Sequence, residues 1–197
     1  SACCVPEISN AFSRSRIQFN VVTGLLNPAE GRVARYFDRA WDEIADWVKA
    51  AGILRELSRA RIGFLGHTYP GMLDMYSDFT AVSAQTGAHI EVLEMCDLDA
   101  CVNQVTQPEI DNILETTRAL FTLENAPEED LQWAARVAAG LDRLTQNFDL
   151  DGLTYYYRGL DGNQYERLGA GLILGNSLLT ARGIPASGEG DLKTCLA

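Results

Sequence analysis

From Arg61 onward, short apolar runs alternate with longer segments in which apolar residues recur every three or four positions. The apolar runs predict strands at residues 61–66, 89–95 and 153–157, and a short extended segment at 184–188. The periodic segments predict helices at residues 72–87, 97–105, 108–121, 127–148, 165–181 and 191–197. Alternation of this kind is typical of a parallel sheet with covering helices. The predicted fold class is therefore α/β, with one parallel-sheet domain and flanking helices.

The residues before Arg61 have a different pattern. Residues 2–8 predict a short strand, and residues 27–30, Asn-Pro-Ala-Glu, are typical of a helix start. From Val33 to Leu54 apolar residues recur mostly at three- and four-residue steps, which predicts a long amphipathic helix. A glycine inside this pattern, Gly52, predicts a break in the helix.

Both ends of the chain lack boundary signals. The chain opens on an apolar, β-prone run with no start signal before it, and it closes on a helical pattern with no stop signal. We therefore expect it to be a piece of a longer protein.

Charge and cysteine usage narrow the class of protein. The 27 acidic and 16 basic residues give a net charge of −11, which argues against a nucleic-acid or anionic-membrane partner. There is no apolar window of about 18 residues, so no transmembrane helix is expected. The chain start lacks the features of a signal peptide, and the five cysteines form no CxxC pair. We therefore expect a cytoplasmic protein with reduced, buried thiols.

Ligands of parallel-sheet proteins gather at the carboxyl ends of the strands. Six residues with polar or aromatic side chains follow predicted strand ends: His67, Thr68, Tyr69, Tyr157, Arg158 and Glu189. The site is therefore expected among the loops that these residues occupy.

Glu189 is the most informative of these residues, because it lies between Gly188 and Gly190 at a predicted strand-to-helix turn. Glycines let the backbone turn sharply and let a neighbour approach closely. A carboxylate there could bind a hard cation or move a proton. It could equally be an acid that the dipole of the following helix favours.

The other candidates also have two readings. His67 could be a ligand or a hydrogen-bonded loop residue, and no HxxxH or HxH spacing supports a metal site by itself. The side chains of residues 155–157, three consecutive tyrosines, alternate across a strand, so Tyr156 is expected to face away from the other two. Tyr157 could pack in the core or lie at the mouth of a sugar pocket.

Three stretches together resemble one family, the L-arabinose isomerase and L-fucose isomerase-like sugar isomerases. These are residues 21–24, residues 61–72 continuing to 95–98, and residues 186–197 with the sequence Ala-Ser-Gly-Glu-Gly-Asp-Leu-Lys-Thr-Cys-Leu-Ala. The resemblance covers most of this chain but only the middle of the family's longer chain. It implies a split near residue 60, with residues 1–60 the end of a first Rossmann-like domain and residues 61–197 a truncated second one.

The resemblance also implies a site. In the family two Glu and two His surround a divalent metal, usually Mn²⁺, and the Glu pair moves a proton between C1 and C2 of an open-chain aldose through an enediol. Glu189 matches the first Glu, as catalytic residue and metal ligand, and the other ligands have no match in this chain. Tyr69 and Tyr157 match pocket positions, and we add His67 as a substrate-binding candidate. Such isomerases assemble as homo-oligomers, hexamers among them.

Two departures leave the sugar open. Arabinose-specific members more often carry Met and Phe where this chain has Tyr69 and Tyr157, and Trp is common where it has Leu192.

The first hypothesis for the function is that the chain is a fragment of a metal-dependent aldose–ketose isomerase, inactive alone because one carboxylate cannot hold the cation. The alternatives are a non-catalytic sugar-binding or regulatory α/β module and a purely structural assembly domain.

Overall fold

A computed structural model describes residues 4–24, 34–159 and 161–197 of the chain. The chain divides into two compact units, Ser1–Leu54 and Arg55–Ala197, which are described separately below. The boundary between the units falls a few residues before the predicted domain split at residue 60.

The regular secondary structure described in the first unit consists of two helices, α1 and most of α2. Helix α1 spans Cys4–Arg14, so the prediction of a strand at residues 2–8 is wrong for residues 4–8. Apolar residues at Val5, Ile8 and Phe12 are spaced three and four apart, which is a helical period that continues past the run read as a strand. Proline is tolerated in the first turn of a helix, so Pro6 does not oppose it.

Helix α2 spans Ala34–Leu57 without interruption, so the predicted break at Gly52 is wrong. A glycine inside a helix costs about 1 kcal/mol relative to alanine, which a helix of 24 residues can absorb. The helix start predicted at residues 27–30 lies outside the described residues.

The second unit is built on a four-stranded sheet in which all neighbouring strands are parallel. Its strands are β1 Arg61–Gly66, β2 His89–Leu93, β3 Gly152–Tyr156 and β4 Ala186–Ser187, in the order β2-β1-β3-β4. The predicted α/β fold class with a parallel, Rossmann-like sheet is confirmed. The chain leaves β1 for β2 on one side and later returns to β3 on the other.

Helices fill the connections between the strands. They are α3 Phe79–Thr86, α4 Met95–Asn103, α5 Gln107–Leu120, α6 Glu128–Asn147, α7 Glu166–Ala181 and α8 Leu192–Leu196. The continuous helix predicted at residues 72–87 is replaced by a short 3₁₀ turn, Leu73–Met75, and then α3. The reason is Asp78, whose carboxylate accepts hydrogen bonds from the backbone N–H groups of Thr80 and Ala81 and so starts a new helix.

The two faces of the sheet pack against different helices. One face packs Leu65, Leu93 and Leu153 against α4, α6 and α7 in the largest core cluster. The other face carries Ile62, which packs with Leu192 of α8 and with residues of the short helix α3. The second face is therefore covered by two short helices, and Phe64 and Thr154 on this face are also buried.

Helix α6 is held between the sheet and helix α5. Its residues contribute both to the sheet cluster and to a second cluster shared with α5 and α7. Arg143 of α6 donates two hydrogen bonds to the carboxylate of Glu109 on α5, at 2.9 and 3.0 Å. These bonds, with those from Thr106, lower the pKa of Glu109 to about 2. The ion pair fixes α5 against α6.

The expectation of buried thiols is confirmed for two of the four cysteines that the structure describes. Cys101 and Cys195 are buried, Cys4 and Cys96 are exposed, and Cys3 lies outside the described residues. Burial raises the pKa of the Cys195 thiol to about 11, so this thiol stays protonated. None of the described helices has the length and hydropathy of a membrane span.

A close helix crossing at Gly140 provides a stability test. A Cβ atom at Gly140 of α6 would lie 2.4 Å from Cγ2 and 2.9 Å from Cα of Val102 on α4. We expect Gly140→Ala to destabilise the second unit by about 1–3 kcal/mol, because overpacking exceeds the gain in helix propensity. The measurement is the free energy of unfolding from urea titration.

Gly169 of α7 is the matched control. A Cβ atom there meets nothing closer than 3.7 Å, which is an ordinary contact. Gly169→Ala should be neutral or stabilise by up to about 1 kcal/mol. Equal effects of the two substitutions would contradict the tight α4–α6 crossing.

Candidate functional site

The predicted site residues meet at the carboxyl edge of the sheet. Strands β1 and β3 are neighbours, and the chain leaves them in opposite directions, so a crevice between their loops is expected there. In the strand register Gly66 is opposite Tyr156, and the backbone N–H of His67 donates to the Tyr156 carbonyl at 3.0 Å. The loop after β1 therefore begins in contact with the end of β3.

The turn after β4 is locked to both neighbouring segments. The backbone N–H of Gly190 donates to the Tyr155 carbonyl at 3.0 Å, and the N–H of Tyr69 donates to the Glu189 carbonyl at 2.9 Å. A Cβ atom at Gly190 would lie 2.8 Å from the carbonyl oxygen of His67, and Gly190 has φ +70°. Glycine fits this position, because the close approach leaves no room for a side chain and the left-handed backbone is costly for other residues.

A further hydrogen bond joins the segment after β4 to the loop after β1. The ammonium of Lys193 donates a hydrogen bond to the backbone carbonyl of Asp74. The loop that carries His67 and Tyr69 is thus held at two points by the segment that carries Glu189. Loops held in this way keep their side chains in a fixed relation.

Glu189 itself has a left-handed backbone, with φ +63°. For a residue other than glycine this conformation costs about 1–2 kcal/mol, and such strain is concentrated at functional sites. The side chain is exposed, and among the described residues no hydrogen bond or ion pair to its carboxylate is formed. Glu189 therefore presents an unpaired carboxylate at the edge of the sheet.

The alternative reading, an acid that serves the following helix, applies to Asp191 instead. Asp191 is the N-cap of α8, and its carboxylate accepts from the backbone N–H and the hydroxyl of Thr194, at 3.1 and 2.6 Å. The hydroxyl bond is the largest of several causes that lower the pKa of Asp191. Glu189 lies before the cap, outside the helix.

The aromatic side chains of the site form a cluster around Tyr156. Its ring centroid lies 5.1 Å from that of His67 and 5.1 Å from that of Tyr69, both in edge-to-face geometry. As predicted, Tyr156 faces away from Tyr155 and Tyr157, which pack against the main core cluster. The sequence did not single out Tyr156, because its contacts depend on the β1–β3 register.

Tyr157 and His67 each have a local partner. The hydroxyl of Tyr157 donates to Oδ1 of Asn163 at 2.8 Å, and its ring meets that of Tyr165 edge-on at 6.2 Å. Nδ1 of the exposed His67 lies 3.0 Å from the Thr68 carbonyl oxygen. A carbonyl can only accept, so this contact favours the proton on Nδ1 and leaves Nε2 as the acceptor of a neutral ring.

The described residues do not form a complete metal site. Over residues 4–24, 34–159 and 161–197, no three His, Cys, Asp or Glu side chains are grouped so that they could hold a metal ion. The exposed carboxylate of Glu189 fits the donor type that hard cations prefer, but it is one ligand. Any cation bound there would need further ligands from outside the described residues.

Comparison with known proteins gives the family of the chain. The family model for the L-arabinose isomerase central domain matches residues 76–197. The chain belongs to the L-arabinose isomerase family. Proteins named L-arabinose isomerase from Yersinia enterocolitica serotype O:8 and Yersinia pseudotuberculosis serotype O:1b are each 26% identical to it over 188 residues.

These alignments cover 92% of this chain but 35% of each Yersinia protein. The chain therefore spans about a third of the length of the curated relatives that it matches. The central-domain family model covers Glu189, Tyr156 and Tyr157. His67 and Tyr69 lie before the first residue that the model matches.

The backbone strain at Glu189 gives a prediction for stability. Replacing Glu189 by glycine should raise the free energy of unfolding by about 1 kcal/mol relative to Glu189→Ala. Both variants lose the carboxylate, so their difference isolates the left-handed backbone. Urea denaturation measures it, and a glycine variant no more stable than the alanine variant would show that the turn is not strained.

Proposed function

We propose that the complete protein is a metal-dependent aldose–ketose isomerase, to which this chain contributes Glu189 as proton carrier and metal ligand. The observation that carries the proposal is the unpaired carboxylate of Glu189, fixed at the sheet edge by backbone hydrogen bonds in a member of the L-arabinose isomerase family. L-Arabinose is the first sugar to test, because the relatives carry its name.

The reaction moves one carbon-bound proton. A base removes the proton from C2 of the open-chain aldose, the electron pair forms the C1–C2 double bond of an enediol, and the C1 oxygen gains a proton. Return of a proton to C1 and loss of the C2 hydroxyl proton leave the ketose. The Glu189 carboxylate has the residue type for the carbon-bound transfer, because a carboxylate can accept and return a proton.

A divalent cation, Mn²⁺ in the proposal, supplies Lewis-acid polarisation of the sugar carbonyl and hydroxyl when bound. Glu189 is the one ligand that we assign to the described residues. We therefore expect the 197-residue chain alone to be inactive.

The remaining roles are proposed from position at the sheet edge. His67 and Tyr69 would line the sugar site from the loop after β1, and the ring of Tyr157 would line it from β3. The hydroxyl of Tyr157 already bonds Asn163, so we assign this residue to packing against the sugar rather than to hydrogen bonding. Assembly as a homo-oligomer, with a hexamer as one form, is part of the same proposal.

A non-catalytic sugar-binding module is the second candidate. It is favoured by the aromatic cluster of His67, Tyr69 and Tyr156, since aromatic faces can pack on sugars without a metal. Calorimetry of the complete protein with L-arabinose, with and without Mn²⁺, separates the two. Binding that does not change with Mn²⁺, in a protein without turnover, would favour the module.

The isomerase proposal predicts the effect of removing one charge. In the complete protein, Glu189→Gln should lower kcat for L-arabinose about 10²–10⁴-fold, the usual contribution of a general acid–base group. The free energy of unfolding should stay within about 0.5 kcal/mol of the wild type, because the side chain is exposed.

Glu124→Gln is the matched control, since Glu124 is also an exposed carboxylate, in the loop between α5 and α6. It should leave turnover unchanged. Normal turnover in Glu189→Gln would reject the assignment of Glu189.

A further inference from the structure

The ring of Tyr156 contacts both residues that were proposed to line the sugar site from the loop after β1. We propose that Tyr156 is a positioning residue, whose ring sets the places of His67 and Tyr69 beside Glu189. The packing part of this proposal stands on the structure, and its effect on turnover rests on the proposed function.

The geometry of the two contacts is nearly the same. The planes of Tyr156 and His67 make an angle of 78°, and those of Tyr156 and Tyr69 an angle of 68°, with both centroid distances 5.1 Å. Edge-to-face pairs of aromatic rings at 4.5–7 Å are favourable and directional. One ring therefore constrains the orientation of two neighbours.

The backbone of Tyr156 is tied to the same loop. Its carbonyl accepts the hydrogen bond from the N–H of His67, and a Cβ atom at the adjacent Gly66 would lie 2.3 Å from that carbonyl oxygen. Gly66 has φ +81°, which turns the chain away from β1 directly over Tyr156. The loop thus cannot move away from Tyr156 without losing its first hydrogen bond after the strand.

Tyr69 is held from several sides. Its ring contacts Tyr156 and also lies so close to Gly71 that a Cβ atom there would be 2.6 Å from Cε1 of Tyr69. Its backbone N–H donates to the carbonyl of Glu189. A displacement of the Tyr69 ring would therefore change the surface immediately beside the proposed proton carrier.

Tyr156 differs from its two neighbours in what it packs against. Tyr155 and Tyr157 pack on the main core cluster, whereas Tyr156 contributes to none of the three core clusters among the described residues. Its ring contacts are with candidate site residues. A role in arranging the site explains this placement better than a role in the core.

The kinetic test compares two substitutions in the complete protein. Tyr156→Leu should raise KM for L-arabinose about three- to tenfold, the effect of one edge-to-face ring contact, with kcat within about twofold of the wild type. Tyr156→Phe keeps the ring and should restore wild-type KM. An unchanged KM in Tyr156→Leu would overturn the proposal. A lower kcat together with that unchanged KM would indicate loss of folded enzyme.

Two further variants test whether the position of the Tyr69 ring affects KM. Gly71→Ala should raise KM in the same way, because the new methyl group displaces the Tyr69 ring while the exposed backbone keeps its fold. Tyr76→Leu is the matched control: Tyr76 is 55% exposed on the same loop, and its loss should change neither parameter. An unchanged KM in Gly71→Ala would count against the coupling of Tyr69.

An NMR measurement tests the packing of Tyr156 independently of the proposed function. The 197-residue chain has two histidines, so the imidazole protons of His67 and His89 are readily distinguished by NMR. Tyr156→Leu should shift the His67 signals through loss of the ring current, leaving those of His89 in place, and Tyr156→Phe should shift neither. If the complete wild-type protein proves inactive, the proposed function fails, and the NMR comparison still decides the packing: unmoved His67 signals overturn it.

Discussion

Two backbone hydrogen bonds hold the turn after β4 against segments that are far apart in the sequence. Gly190 donates to the end of β3, and Tyr69 donates to Glu189 from the loop after β1. Both bonds require the backbone of Gly190 to lie against His67, which glycine alone permits. The position of the Glu189 carboxylate therefore depends on a close approach of main chain rather than on its own side-chain contacts.

Much of this architecture can be predicted from the sequence, because strand and helix periods in the second unit are regular. Residues 61–66 and 165–181 agree with the strand and helix within one residue at each end. Predictions were wrong where a local signal competed with the pattern. Asp78 starts a new helix inside residues 72–87, and residues 4–8 of the run predicted as a strand belong to a helical stripe that continues to Phe12.

The site was predictable in part for a related reason. A glutamate between glycines and aromatic residues after strand ends are visible in the sequence, and the parallel sheet indicates that they share one edge. The partners across the edge are not visible, because they depend on strand register. Tyr156 meets His67 and Tyr69 since Gly66 lies opposite it, and Lys193 reaches Asp74 across more than a hundred residues.

If Glu189 binds the cation of an isomerase, as we propose, its carboxylate lies within coordination distance of a bound metal. Crystals of the complete protein grown with Mn²⁺ allow this to be measured by anomalous diffraction at the manganese edge. We expect a manganese peak within coordination distance of the Glu189 carboxylate, on the side of the sheet edge where Tyr69 and His67 lie. A fully occupied manganese site whose ligands do not include Glu189 would contradict it.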